Sequence, residues 1–333
     1  MTPRITRRWA TGLFGAAFVT ALARPALAET YPARPVKMIV PFPAGNMADL
    51  LARMVADEMS TRFGQTVVVD NRAGASGVIG IQSVARSPAD GYTLLMASSS
   101  SLVVYPALAS NLPFDVRQDL QPIALVGGTP YIFIAPNDLP VKTLGEAVEL
   151  FRRNPGKYTA ANSGTGTFGH LITEQFCRAA GVKMEHVPYR GSGQALVDMQ
   201  AGRVHLMLDA MTSSLPQIQA GRLRGLAVLA ERRTPIAPDI PTVAESGMPG
   251  LNIVYANGWA GLLAPAHTPP EVVSYWDKQI NTMLADPAFQ KRLQAQNYEA
   301  AAPGSPAGLR DLIGKELPRF AAVAHETGIQ LNE

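Results

Sequence analysis

From residue 36 onward, short β-branched runs alternate with stretches of helical periodicity. A chain that alternates in this way can bury its strands only between layers of helix, which predicts an α/β architecture with largely parallel sheets. Val36-Lys37-Met38-Ile39-Val40 reads as the first strand, and the chain then turns through Pro41-Phe42-Pro43-Ala44-Gly45-Asn46. Leu51, Val55, Met59 and Phe63 recur every four residues along one side of a helix that Gly64 stops. A strand at 66–69, a loop at 71–77, a helix at 78–86 and a strand at 92–97 complete β-α-β-α-β, half of a doubly wound domain. The same grammar restarts after residue 130. It runs through strand 131–135, helix 143–153, strand 157–161, a helix opening near Phe168, strand 185–189, helix 192–201, and strands 204–208 and 223–229.

No sequence repeat links the halves, so the expectation is two lobes of similar architecture joined by crossing strands. Residues 235–250 carry Pro235, Pro238, Pro241, Gly247, Pro249 and Gly250, which marks where the chain crosses back. Helices at 270–285, on Val272, Trp276, Ile280 and Met283, and at 306–326, on Leu309, Ile313, Leu317 and Phe320, close the sequence. The division expected is 29–128 with 250–333 as lobe 1 and 129–249 as lobe 2. The 333 residues suffice for two apolar cores. Their 29 glycines and 27 prolines stay below the roughly 25–30% that marks a low-complexity chain.

The first 28 residues read as an export signal. Arg4, Arg7 and Arg8 form a basic start, residues 9–23 are uncharged and mostly apolar, and Ala26-Leu27-Ala28 is an A-x-A site, so cleavage is expected after Ala28. The apolar run falls short of the about 20 residues of a membrane anchor. Thr6-Arg7-Arg8-Trp9 also resembles a twin-arginine signal, and either export route ends in the periplasm. Removing residues 1–28 takes away four arginines and no acid, so the 29 basic side chains fall to 25 against 26 acidic ones and the formal charge of +3 becomes −1. The pI near 9.0 therefore belongs to the signal, and no electrostatic footprint for nucleic acid remains. Cys177 has no partner for a disulfide, and five scattered histidines give no zinc spacing.

Ligands of such sheets bind where strand C-termini meet helix N-termini, and two lobes place two such rims face to face, so an interdomain cleft is the expected site. The first candidate loop is 41–49. The amides of residues 45–48 are unpaired donors of a helix start and could cradle a carboxylate, with Phe42, Ala44, Gly45, Asn46, Met47 and Asp49 as candidate contacts. It reads equally as an ordinary βα loop, with Asn46 as N-cap and Asp49 favoured by the helix dipole. The second is Asn162-Ser163-Gly164-Thr165-Gly166-Thr167-Phe168-Gly169. It spells the dinucleotide fingerprint and so admits an exported NAD(P)-dependent oxidoreductase as the alternative function, although the acid expected to hold the ribose, Glu185, falls at the start of the next strand and not at its end. Its amides with Asn162, Ser163, Thr165 and Thr167 would serve a carboxylate as well. Tyr189, Arg190 and Asp209 follow strands that aim into the same cleft, and Arg190 could grip an anion bidentately. Trp259 reads as core or hinge packing, and His170, Glu174 and Cys177 as a helix side with one buried thiol. The sequence carries no G-x-S-x-G elbow, H-E-x-x-H or P-loop, so no enzyme is expected, and no cofactor or metal.

Motifs spread over the mature chain resemble the extracytoplasmic solute receptors of tripartite tricarboxylate transporters, often called the Bug family. They are Tyr31-Pro32-x-Arg34-Pro35, Pro41-Phe42-Pro43-Ala44-Gly45, Val67-Val68-Val69-Asp70-Asn71-Arg72-x-Gly74-Ala75, Asp90-Gly91-Tyr92-Thr93-Leu94-Leu95, Pro188-Tyr189-Arg190-Gly191, Pro241-Thr242-Val243-Ala244-Glu245-Ser246-Gly247 and Trp259-x-Gly261-Leu262-Leu263-Ala264-Pro265. The resemblance implies a periplasmic binding protein of type II-like architecture, closing as a monomer over a small carboxylate and serving membrane transporter subunits. It implies that the first loop follows P-F-P-x-G-G-x-x-D and binds the ligand carboxylate through its amides. Here Asn46 stands for the second glycine, followed by Met47, a departure that bears on which carboxylate is chosen. The loop at 163–167 matches the second contact region of the family.

Overall fold

Two mixed sheets organise the chain in the computed structural model, which describes residues 31–230, 232–246 and 258–329. In the first half, β1 (Val36–Val40), α1 (Met47–Phe63), β2 (Val67–Asn71), α2 (Val78–Ala85) and β3 (Thr93–Ser98) alternate as the periodicity requires. A π-turn at Ser100–Val104 and α3 (Tyr105–Leu108) lead to β4 (Leu120–Thr129). The second half runs β5 (Tyr131–Pro136), α4 (Leu144–Arg153), β6 (Thr159–Asn162), α5 (Phe168–Ala179), β7 (Glu185–Pro188), α6 (Ser192–Gln200), β8 (Leu206–Ala210), α7 (Met211–Gln219) and β9 (Leu223–Val228). The chain then returns through β10 (Gly258–Pro265), α8 (Pro270–Ala285), α9 (Pro287–Ala295), β11 (Glu299–Ala300) and α10 (Pro306–Thr327).

The first sheet has the order β11-β4-β10-β3-β1-β2 and the second β7-β6-β8-β5-β9. Strands joined by helices within one half are parallel, as expected: β1 with β2 and β3, β6 with β7 and β8. The strands that carry the chain between halves are not. β10 runs against β3 and β4, and β5 against β8 and β9. The expectation of largely parallel sheets is corrected here, because parallel neighbours need a crossover of about a dozen residues, usually a helix. β5 is joined to neither of its neighbours β8 and β9 by a single helix, nor β10 to β3 or β4, so no β-α-β crossover sets their direction.

The helix ends follow local chemistry. The Asn46 side chain caps α1 by accepting from the Ala48 amide at 2.8 Å, and Gly64 ends that helix at φ 63°. Thr167 caps α5. All eight residues of β10 are buried, which suits a central strand covered on both faces. One apolar cluster runs from Ile39 and Leu95 through Phe133 and Phe176 to α10, where the Phe168 and Phe320 rings meet edge to face at 5.8 Å. Trp259 packs in this core and donates its indole N–H to Glu316 Oε2 at 2.7 Å, in keeping with the packing reading. Cys177 is buried, with its thiol pushed up to about 12 by burial and the charge of Glu174. Among the described residues no helix is long and apolar enough to cross a membrane. The signal segment 1–28 and residues 247–250 of the expected crossing lie outside the described residues.

Candidate functional site

A cavity of about 530 Å³ lies between the C-terminal rims of the two sheets. Its floor and one wall come from the first half, where Phe42, Ala44, Gly45, Asn46 and Met47 turn past Ser98 and Ser100 at the end of β3. The facing wall comes from the second half, with Ser163 and Thr167 before α5, Arg190 before α6, and Ser213 in α7. Thr165 and Tyr189 line a space of about 560 Å³, which shares Phe42, Ser163, Thr167 and Arg190 with the first. Hydrogen bonds cross from one half to the other beside it: Ser76 Oγ donates to the Thr165 carbonyl at 2.8 Å, the Phe168 amide donates to Ser100 Oγ at 3.2 Å, and the Tyr131 side chain bonds that of Ser100.

Three expected residues, Asp49, Asn162 and Asp209, line neither space and lie buried behind the walls. Asp49 holds the first loop together. Its Oδ2 accepts from the Gly45 amide at 2.8 Å and Arg53 Nε at 3.1 Å, while Oδ1 accepts from Asn71 Nδ2 at 2.9 Å. Burial raises this carboxyl, but the hydrogen bonds from Arg53, Gly45 and Asn71 and the Arg53 charge bring it below its ordinary value. Asn162 Oδ1 accepts from the Gly164 amide at 3.2 Å, and its buried Nδ2 has no partner among the described residues. Asp209 accepts from the hydroxyls of Ser192, Ser213 and Ser214, each at 2.6 Å. Burial pushes its carboxyl up, and those hydroxyls with the Ala210 amide offset part of the rise.

The amides expected to cradle an anion are mostly spent inside their own loops. In the first loop, Gly45 gives its N–H to Asp49, Asn46 to the Pro43 carbonyl at 3.4 Å and Ala48 to the Asn46 side chain. Met47, the first residue of α1, keeps an amide with no intrahelical acceptor. The glycine at 45 is required by its φ of 83°. In the second loop Gly164 donates to Asn162, Gly166 to His170 Nδ1 at 3.1 Å, Thr167 to the Gly164 carbonyl at 3.3 Å and Phe168 to Ser100. The Thr167 hydroxyl donates to the Gly164 carbonyl at 2.8 Å, so among the described residues the hydroxyls that remain in this loop are those of Ser163, on the first cavity, and Thr165, on the adjoining space. A pyrophosphate would find these donors occupied, and Glu185 opens β7, so the dinucleotide alternative has no support in the geometry. The third glycine of that fingerprint, Gly169, serves packing: a Cβ there would stand 2.5 Å from the Leu208 carbonyl oxygen.

His170 is pushed down to about 4 by burial first and then by its neighbour His186, with Glu174 pulling the other way. Its neutral ring accepts from the Gly166 amide and so supports the second loop. His186 Nε2 lies 3.0 Å from Glu174 Oε2. Among the described residues no three histidines, cysteines or acids gather as a metal site.

The donors left over lie where the sequence reading had not placed amides. Arg190 is exposed, lines the cavity, and makes no ion pair or hydrogen bond among the described residues. The nine-residue helix α6 that follows has no side-chain cap, and its first residues Ser192, Gly193 and Gln194 line the same wall. Its first-turn N–H groups and the guanidinium together favour an anion. Tyr131 also lines the cavity, its phenol raised by burial and by the charge of Asp209, in a hydrogen bond with Ser100. The signals that could have found this wall were the serines 98–101 after a strand and the glycine-flanked start of α6 at Gly191-Ser192-Gly193.

Residues 51–329 match the profile described as the tripartite tricarboxylate transporter family receptor. The sequence is similar to the protein BugT of Bordetella pertussis, 38% identical over 311 residues that cover 93% of this chain and 94% of BugT. The fold is similar to that of Rpa4515 of R. palustris, solved with adipate, at a TM-score of 0.86 and 33% identity over 90% of this chain and 99% of that one. It is also similar to MatC of Rhodopseudomonas palustris, solved with bound malate, at a TM-score of 0.81 and 28% identity over 88% and 99%.

Proposed function

The chain belongs to the family of tripartite tricarboxylate transporter receptors, and on that premise we propose that it captures one small organic carboxylate in the 530 Å³ cavity between its two halves. It is a periplasmic solute receptor of a tripartite transport system and not an enzyme. The observation that supports the site is Arg190, a cation on the cavity wall with no partner among the described residues, beside the uncapped start of α6. A carboxylate would receive the guanidinium fork and the amides of Gly193 and Gln194 from one side, and the Met47 amide and Ser163 hydroxyl from others. Phe42, Met47, Tyr131 and Leu196 leave room for an apolar body behind that carboxylate.

In this reading Asp49 and Asn162 act from behind the wall by shaping the loops. The halves 29–128 with 250–333, and 129–249, close on the solute as lobes, and the protein works as a monomer cleaved after Ala28 that delivers its cargo to membrane subunits. Binding to the folded state alone raises stability by about 2.7 kcal/mol at a hundredfold excess over Kd. The test is a thermal-shift screen and calorimetric titration of the periplasmic protein with adipate, malate and benzoate, and with NAD as the contrasting ligand. Arg190→Gln should weaken a bound acid by about tenfold or more, because a hydrogen bond to a charged group contributes about 1.5–3 kcal/mol. Stabilisation by NAD and by none of the acids would overturn the proposal.

A further inference from the structure

Asp209 is a buried acid behind the cavity that three hydroxyls address. A serine hydroxyl has one proton to give and lone pairs to receive, whereas an ionised carboxylate only accepts. The hydroxyls of Ser192, Ser213 and Ser214 and the Ala210 amide favour the ionised form against the rise that burial imposes, and in that form the serine is the donor in each of the three contacts. Ser214 is fully buried, but Ser192 and Ser213 stand on the cavity wall, where their protons are turned inward and their lone pairs outward. The other acceptor within reach of Ser213, the Ala210 carbonyl at 3.0 Å, lies on its own helix turn and commits the proton no less. Next to them Arg190 offers only donors. The wall thus pairs a donor-rich patch fit for a carboxylate with an acceptor-only patch backed by negative charge.

We propose that Asp209 locks Ser192 and Ser213 as acceptors and so selects carboxylates that also carry a hydrogen-bond donor, a hydroxyl or an ammonium, over the same skeleton without one. This rests on the receptor reading above and narrows its ligand class. Asp209 is a positioning residue here, since it acts through the two serines. A solute lacking the donor leaves two desolvated lone-pair faces unmatched, and a second carboxylate placed there would meet like charge.

The test uses matched acids, L-malate against succinate and mandelate against phenylacetate, titrated into the periplasmic protein by calorimetry. The hydroxylated member of each pair that binds is expected to bind about tenfold more tightly. In Asp209→Asn the serine protons are released, and the ratio should fall towards one while both acids still bind. Ser213→Ala keeps the buried charge and two of its donors, and should lower the ratio partway, which preserves the test where the aspartate variant does not fold. A purely structural role would weaken both members equally and leave the ratio fixed. A wild-type ratio near one, or a ratio unmoved in Ser213→Ala and in any folded Asp209→Asn, overturns this inference alone. Failure of every acid to bind overturns the receptor reading and the inference together.

Discussion

His170 offers a pH dependence that can be worked through from one hydrogen bond. Its Nδ1 accepts from the Gly166 amide at 3.1 Å, which requires an unprotonated nitrogen, and its folded value sits at about 4 against an ordinary 6.5. A depressed histidine binds its proton more readily in the unfolded chain, so folding stability rises with pH across the window from about 4 to 6.5 and is lost as the pH falls through it. At 1.36 kcal/mol per unit the full effect is about 3 kcal/mol, and roughly 2 kcal/mol of it is already gone at pH 5. That is a large share of a typical stability of about 5–15 kcal/mol. Chemical denaturation at pH 7.5 and pH 5 measures the loss in the wild type. His170→Gln keeps an acceptor for Gly166 without titrating, so it should lose about 2 kcal/mol less over the same interval. Equal losses in both proteins, or an NMR titration placing His170 near 6.5, would refute the reasoning.

Gly169→Ala should destabilise by about 1–3 kcal/mol, because the Leu208 carbonyl that its Cβ would meet at 2.5 Å belongs to β8 and cannot swing away; denaturant midpoints check it. Cys177, with its thiol pushed up to about 12, should resist alkylation in the native protein and react fully after unfolding, as mass spectrometry of iodoacetamide adducts would show. Met47→Ala together with Asn46→Gly should shift preference from aromatic acids towards small dicarboxylates; replacing the N-cap with glycine costs only a few tenths of a kcal/mol, so the stability cost falls on the buried Met47 side chain, at up to about 2–5 kcal/mol. An unchanged ratio in paired titrations of one aromatic acid and one small dicarboxylate would sink that specificity claim.

The architecture was legible where the signal was local. The four-residue stripe from Leu51 to Phe63 is α1 with its glycine stop, and the expected strand at 36–40 is β1. What escaped was set by partners distant in sequence. β4, with Gln121, Gly127 and Gly128 inside it, lacks the pattern of a strand, yet its pairing along β10 from Leu120 to Thr129 holds it extended. α7 carries Pro216 and three consecutive polar residues, Thr212, Ser213 and Ser214, which read as loop until burial of Met211 and Leu215 against the second sheet is counted. The antiparallel strands escaped for a related reason: periodicity says that a segment is a strand, whereas its direction depends on which half the chain arrives from.

The site shows the same divide at finer grain. Which loops meet was readable from strand ends alone, and Phe42, Asn46, Ser163 and Arg190 do share one cavity. Which groups remain available within those loops was not, because an amide's availability depends on acceptors that sequence spacing does not reveal. Gly45, Gly164 and Gly166 had looked like donors for a ligand and are instead consumed by Asp49, Asn162 and His170, three side chains whose own value lies in holding the backbone still. The reverse holds at α6, where Gly191 supplies no cap and the donors stay open beside Arg190. A receptor needs both conditions at once. Loops whose amides are satisfied internally keep their shape with or without solute, and the few donors left unsatisfied concentrate the attraction for an anion on one wall.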